Sequence, residues 1–113
     1  MAKTSRPKGI YEYGLLKIDQ PKREVSIGGN LIELEQREFD IFCLLVSHPN
    51  EGLPCDYFHN VLWVHPDPEH GEREVVSCMQ RLQEKLRLEQ LNIPCRIHCV
   101  DTSRGKGYCF VAE

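Results

Sequence analysis

A turn near the C-terminus combines two positive charges with two glycines. Arg104 and Lys106 alternate with Gly105 and Gly107, and strand-like runs lie on both sides. Glycine permits positive φ and lets the backbone approach another surface closely. Arginine and lysine side chains form charge-assisted hydrogen bonds with phosphate oxygens. The pattern therefore predicts a β-hairpin whose tip can contact a phosphate backbone.

A helical pattern precedes this hairpin and runs from Arg73 to about residue 89. Its apolar residues form a single buried stripe. The opposite face carries Ser77 and Gln80, whose side chains can hydrogen-bond to base edges, while Arg73 and Arg81 suit phosphates. Such a face is also typical of a solvated amphipathic helix. The basic hairpin that follows favours double-stranded DNA over that simpler interpretation.

The net charge of -3 is unevenly distributed. Residues 33–70 hold eight acids against Arg37, whereas residues 1–9 contribute three positive charges and residues 95–113 are slightly basic. Because phosphate contacts are local, an acidic total does not exclude DNA binding. It predicts weak non-specific affinity.

The six cysteines are expected to be reduced and mostly structural. Cys43 and Cys78 fall within apolar helical patterns, and free cysteine is a common small buried residue. The chain lacks the close ligand spacings of a structural zinc site, so a site at His59 or His98 is a weak alternative and we predict no metal or cofactor. A Cys/His hydrolase that uses Cys55 or Cys99 with those histidines is weaker still, because no signature surrounds either cysteine. We therefore predict no enzyme activity.

The remaining elements predict an α+β domain. Residues 11–19, 24–27 and 31–34 have strand character and form an antiparallel meander of three or four strands. A first helix starts at Glu35 and ends at His48, and a second follows Pro54, from Cys55 to Trp63. Residues 64–72 form an acidic, proline-broken loop. Residues 1–9 are expected to be a flexible basic tail or linker, and 10–113 a single domain.

No segment is long and apolar enough to cross a membrane, and no secretory signal begins the chain. We therefore expect no membrane partner and a cytoplasmic location.

Several fragments occur together in a recognisable order. They are Leu34-x-x-x-Glu38-Phe39, a helix ending at His48-Pro49, a helix ending at Trp63, Arg73-x-Val75, Arg81-Leu82-x-x-Lys85-Leu86 and Arg104-Gly105-x-Gly107-Tyr108-x-Phe110. Residues 13–111 thus resemble the DNA-binding effector domain of OmpR/PhoB-type response regulators.

The resemblance implies a winged helix-turn-helix with an N-terminal antiparallel sheet, three helices and a C-terminal β-hairpin wing. The third helix would enter the major groove, and the wing would contact the backbone or the minor groove. By position, the resemblance implies DNA contacts from Arg73, Ser77, Gln80, Arg81, Thr102 and Arg104, to which Lys106 is added from its place in the hairpin.

The resemblance also implies partners. Family members bind tandem half-sites as dimers, and in activators the loop that matches residues 64–72 contacts RNA polymerase. Asp67 and Glu69 are the acidic candidates in this loop for a protein contact. Trp63, which precedes it, is either such an anchor or a packing residue. The linker from a receiver domain would correspond to residues 1–9, although a stand-alone regulator is equally compatible with the sequence.

Three departures from the family pattern remove positive charge or a cap. Glu35 replaces the usual hydroxyl N-cap, Pro54-Cys55 replaces Ser-Arg at the second helix, and Gln80, Gln83 and Glu84 take places where bases are usual. The leading interpretation is therefore sequence-specific DNA binding by a bacterial transcription regulator. The alternative is a winged-helix module redirected to protein–protein interaction.

Overall fold

The computed structural model describes residues 9–63, 71–87 and 93–112. Within them the chain forms two antiparallel sheets and three helices, which confirms the predicted α+β class. Residues 1–8 of the expected tail (1–9) and residues 64–70 of the acidic loop (64–72) lie outside the described residues.

The first sheet is a four-stranded meander in the order β1-β2-β3-β4. Its strands are β1 Ile10–Tyr13, β2 Leu16–Asp19, β3 Glu24–Ile27 and β4 Asn30–Ile32. Of the three or four strands that the sequence predicted, four form, because Gly14, with φ +62°, and Leu15 turn the chain and divide the strand-like segment 11–19 between β1 and β2. β3 was predicted correctly, and β4 is shorter than expected.

The three helices lie close to their predicted bounds. They are α1 Gln36–Ser47, α2 Cys55–Leu62 and α3 Gly71–Leu86. α1 ends at His48, as the proline after it predicts, and α3 ends where Arg87 takes a left-handed φ of +51°. The hydroxyl cap absent from α1 is replaced: Glu38 accepts a hydrogen bond from the Glu35 backbone N–H at 3.0 Å.

The second sheet has the order β5-β7-β6 and contains the C-terminal hairpin. Its strands are β5 Gly52–Pro54, β6 Cys95–Thr102 and β7 Gly105–Ala112. The predicted turn over 103–107 is tighter than expected, because only Ser103 and Arg104 lie outside the two strands. β5 was not predicted; it pairs antiparallel with β7, so the start of α2 is fixed to the hairpin.

One aromatic cluster joins these parts. Phe110 of β7 is fully buried and packs edge-on against Phe42 of α1, with ring centroids 6.1 Å apart. Tyr13 of β1 packs edge-on against the same ring, with centroids 5.1 Å apart. Burial of such side chains contributes about 1.5–3 kcal/mol each. The hairpin is therefore anchored to both the first sheet and α1.

Within the described residues, no helix is long and apolar enough to cross a membrane.

Candidate nucleic-acid interface

α3 has one buried and one open face. The inward stripe is fully or almost fully buried and consists of Val75, Cys78, Met79, Leu82 and Leu86. Arg73, Ser77 and Gln80 are exposed on the other side. Residues three and four apart share one side of a helix, so these three form a polar row, which we call the outer row. The predicted direction of these side chains is confirmed; their contact with DNA stays a prediction.

A buried carboxylate fixes the flank of α3. Glu38 of α1 is completely buried and receives hydrogen bonds from Lys85 Nζ at 2.7 Å and Arg81 Nε at 3.3 Å. Burial alone would raise the pKa of Glu38, but the bonds from Lys85, the Glu35 N–H and Arg81 outweigh it and lower that pKa. The hydrogen bond that Lys85 donates to Glu38 raises the pKa of Lys85. Glu38 therefore stays ionised and holds α3 against α1.

This ion-pair cluster changes the interpretation of Arg81. The sequence predicts a groove-facing cation at this position, and the structure shows a side chain that is half-exposed but bonded to Glu38. Its guanidinium has further donors that Glu38 does not use. Arg81 can therefore stabilise the α1–α3 contact and still present charge beside the outer row.

The hairpin tip is bonded to the start of α2. Arg104 Nη2 donates to Asp56 Oδ2 at 2.7 Å, and both side chains are substantially exposed. The sequence predicted the exposure of Arg104 but not this partner. Lys106 is exposed, and Asp101 lies opposite it across the hairpin.

Thr102 shapes the tip from inside. Its hydroxyl donates to the Gly105 carbonyl at 2.8 Å and accepts from the Arg104 N–H at 3.1 Å. Gly105, with φ +108°, adopts a conformation that favours glycine. Thr102, predicted as a DNA contact, thus has a structural task in orienting Arg104.

The close approach predicted at Gly107 occurs within the protein. This glycine is buried in β7, and a Cβ at that position would collide with the backbone carbonyl of Leu53 in β5. Gly107 therefore serves a close contact with β5 of the same domain, and its expected approach to another surface stays untested.

Comparison with known proteins agrees with this geometry. Residues 29–110 match the family model described as transcriptional regulatory protein, C terminal. The chain belongs to this family. It is 32% identical over 103 residues to a probable transcriptional regulator, ycf27, of Galdieria sulphuraria, covering 90% of this chain and 39% of that protein. It is 29% identical over 96 residues to the regulatory protein YkoG of Bacillus subtilis, covering 85% and 40%. The chain spans about two fifths of the length of these curated relatives.

Solved structures of OmpR/PhoB-type domains share the fold. The Klebsiella pneumoniae RstA DNA-binding domain, solved in complex with the RstA box, superposes with a TM-score of 0.73 at 30% identity, over 90% of this chain and 96% of that one. DrrB of Thermotoga maritima, an OmpR/PhoB homologue, gives a TM-score of 0.74 at 22% identity, over 93% and 45%. The winged helix-turn-helix fold implied by the sequence is confirmed.

A hydrogen-bonded pair of a histidine and a glutamate joins α2 to α3 in this OmpR/PhoB-type domain, and the sequence did not predict it. His59 is buried, and its Nε2 lies 2.8 Å from Glu74 Oε1. Its ring also leaves no room for a side chain at Gly71, where a Cβ would lie 2.8 Å from Nδ1. No local sequence pattern signals this pair, because the partners are 15 residues apart and on different helices. His59 thus joins the two helices.

Trp63 is a packing residue in the described part of the domain. Its ring lies 4.9 Å from that of His59, and the Arg37 guanidinium lies 4.0 Å above it. This matches the packing alternative, although the tryptophan stays partly exposed. Asp67 and Glu69, the other predicted contacts of this loop, lie outside the described residues.

The cysteines have the chemistry of structural thiols. Burial raises the pKa values of Cys55, Cys78 and Cys95 to about 11, opposite to the lowered pKa of a nucleophilic thiol. The imidazole of His59 is bonded to Glu74 rather than to Cys55. Among the described residues, no three His, Cys, Asp or Glu side chains are grouped to hold a metal ion.

Proposed function

We propose that this chain binds double-stranded DNA sequence-specifically as the effector domain of an OmpR/PhoB-type bacterial transcription regulator. α3 would lie in the major groove, with Ser77 and Gln80 at base edges and Arg73 at a phosphate. The hairpin would lie against the DNA backbone or the minor groove. Contacts to the DNA backbone would be made or oriented by Arg81, Thr102, Arg104 and Lys106.

The outer row of α3 is the observation that carries this proposal. Among the described residues, Arg73, Ser77 and Gln80 are exposed, while the opposite face of α3 is buried and its flank is fixed by Glu38. A rigid helix with an open polar row suits groove reading, because base contacts require fixed side-chain positions. A related domain of 30% identity was solved in complex with its DNA box.

The internal ion pairs favour a second candidate function. Arg81 and Arg104 each bond to an acid of the same chain, which reduces the charge offered to phosphate. A protein surface could then be the partner instead of DNA. We retain this winged-helix interaction module as the alternative that the experiment must exclude.

Wider assignments follow from the same family membership. We propose that residues 10–113 form the DNA-binding domain, that two copies bind tandem half-sites and that the loop at 64–72 contacts RNA polymerase. These assignments are tested by the spacing of selected half-sites and by transcription assays with variants of Asp67 and Glu69.

Selection from a random DNA pool at two salt concentrations tests the proposed function. A DNA reader should enrich one motif, and its affinity should fall steeply with salt because bound phosphates release counterions. A protein-interaction module should enrich no motif at either concentration.

Two substitutions separate backbone from base contacts. Arg104→Ala should weaken binding to all sequences about three- to tenfold and reduce the salt slope by about 1. Gln80→Ala should instead relax the preference at one base pair by about 1–3 kcal/mol. Arg96→Ala is the matched control for Arg104, because it removes an exposed arginine from β6 at the far end of the hairpin from the tip. If Arg104→Ala and Gln80→Ala both bind the selected site like the parent, the assigned interface is wrong.

A further inference from the structure

The pair formed by Arg104 and Asp56 lies where the hairpin meets a helix N-terminus. Arg104 Nη2 donates to Asp56 Oδ2 at 2.7 Å across 48 residues of sequence. Asp56 is the second residue of α2, whose first turn follows Pro54. Both side chains are largely open to solvent, 63% for Arg104 and 45% for Asp56. The pair is therefore accessible to a competing anion.

The start of α2 attracts negative charge for two reasons. The first N–H groups of a helix lack partners within the helix, and the helix dipole places positive potential there. Phosphate groups bind at such positions for the same reasons. Asp56 is the acidic residue in this first turn, and its carboxylate supplies the anion that both the helix start and Arg104 favour.

We propose that Asp56 takes the place of a DNA backbone phosphate in the free protein, so that DNA must displace it from Arg104. The inference rests on the proposed function and names the residue that sets the affinity of the hairpin for the backbone. Asp56 lowers DNA affinity independently of base sequence, first by occupying Arg104 and then by repelling the phosphate that replaces it.

The geometry of the tip makes this exchange feasible. Thr102 holds the backbone of Arg104 and Gly105 through two hydrogen bonds, so the tip keeps its shape when the guanidinium changes partner. An exposed ion pair is weak and is screened by salt, which allows a phosphate to compete for the arginine. Only the long arginine side chain has to move.

A double-mutant cycle on a mixed-sequence duplex tests the inference. Asp56→Asn should tighten binding about two- to tenfold and steepen the salt dependence by up to about 1 in slope. In the Arg104→Gln background the same substitution should have a much smaller effect, because no guanidinium is released. Glu24→Gln, which removes an exposed acid of β3 in the first sheet, is the control for total charge and should change the affinity little.

The readouts distinguish the inference from its competitors. An equal gain from Asp56→Asn with and without Arg104 would mean general repulsion and would overturn the displacement step. No gain, in a parent that binds DNA, would overturn the role of Asp56 and leave the proposed function intact. A parent that binds neither this duplex nor the selected site overturns the proposed function, and this inference with it. Stability gives an independent check, since losing the helix-start charge should lower the melting temperature while DNA affinity rises.

Discussion

At the scale of single residues, acids determine what the cations of this domain can do. Glu38 holds Lys85 and Arg81, and Asp56 holds Arg104. The sequence predicts that Arg81 and Arg104 are exposed, because helical periodicity and turn chemistry are local. It does not predict their partners, which are 43 and 48 residues away and are brought close only by the packed fold.

Replacing Glu38 should loosen α3. Glu38→Gln keeps the side-chain volume but removes the negative charge to which Lys85 and Arg81 both donate hydrogen bonds. The hydrogen bonds of these two cations to the buried side chain are then weaker. We expect the free energy of unfolding to fall by about 1–3 kcal/mol. Chemical denaturation of both proteins measures the change. The matched control is Glu33→Gln, an exposed residue before α1, which should change the stability by less than about 0.5 kcal/mol.

The same carboxylate predicts acid sensitivity. The folded protein lowers the pKa of Glu38 below its ordinary value of 4.5, so its stabilisation is fully present above that value. It is lost as pH falls from 4.5 to the lower folded pKa, because the unfolded chain takes up a proton first, and below the folded pKa both states are protonated. Unfolding free energies measured down this range should converge for the parent and Glu38→Gln. A constant difference would show that Glu38 contributes through its shape rather than its charge.

At the scale of elements, the sequence predicts those that have a local signal. The helices follow from apolar periodicity and from Pro49 and Pro54, and the hairpin from its glycine-paired turn. β5 has only three residues, ends in a proline and follows no alternating pattern. Its pairing with β7 is a tertiary effect, and so is the position it gives to α2. The split of β1 from β2 lies within the three or four strands that the sequence predicted, and Gly14, with φ +62°, is the residue that decides for four.

Gly107 should be essential for the contact between β5 and β7. Gly107→Ala places a methyl group against the Leu53 carbonyl, and a backbone atom cannot move away without separating the strands. We expect a loss of about 3 kcal/mol or more, because the overpacking is against backbone.

A second glycine provides the contrast for this prediction. Gly28 has φ +60°, and no atom lies within 4 Å of the point that an added methyl group would occupy. Gly28→Ala therefore has only a conformational cost of about 1 kcal/mol. Thermal unfolding of the two variants should rank them in that order. Similar losses would show that β5 is not tightly paired in solution.

At the scale of the whole molecule, the local distribution of charge says more than the net charge. The chain is acidic, with a net charge of -3, yet the outer row of α3 and the hairpin tip contain exposed arginine and lysine. The amino-acid composition could not reveal this distribution, because it does not show which acidic side chains form ion pairs within the domain. Family membership was predictable from the order of fragments, since the fold preserves their spacing.

The buried thiols give the molecule an alkaline limit. The folded protein raises the pKa values of Cys55, Cys78 and Cys95 from 9.0 to about 11 and that of Tyr108 from 10.0 to about 12. The neutral forms therefore stabilise the fold fully below pH 9. Above this value the unfolded chain ionises first, and stability is lost until the folded pKa is reached. At neutral pH these thiols stay protonated, as packing residues should.

The substitution Cys78→Ala measures how much of this alkaline loss of stability comes from one thiol. At about pH 7 the variant should be less stable than the parent, because the smaller side chain leaves a cavity beneath α3. By about pH 10 the difference should narrow by about 1.4 kcal/mol, since only the parent still has the Cys78 thiol to ionise on unfolding. Chemical denaturation in the presence of a reductant measures both values. Cys99→Ala, at an exposed position on β6, is the control for the loss of a thiol and should change the stability little at about pH 7. If the Cys78→Ala difference does not change with pH, the Cys78 thiol ionises as readily inside the fold as outside it, and α3 is packed more loosely than its buried stripe indicates.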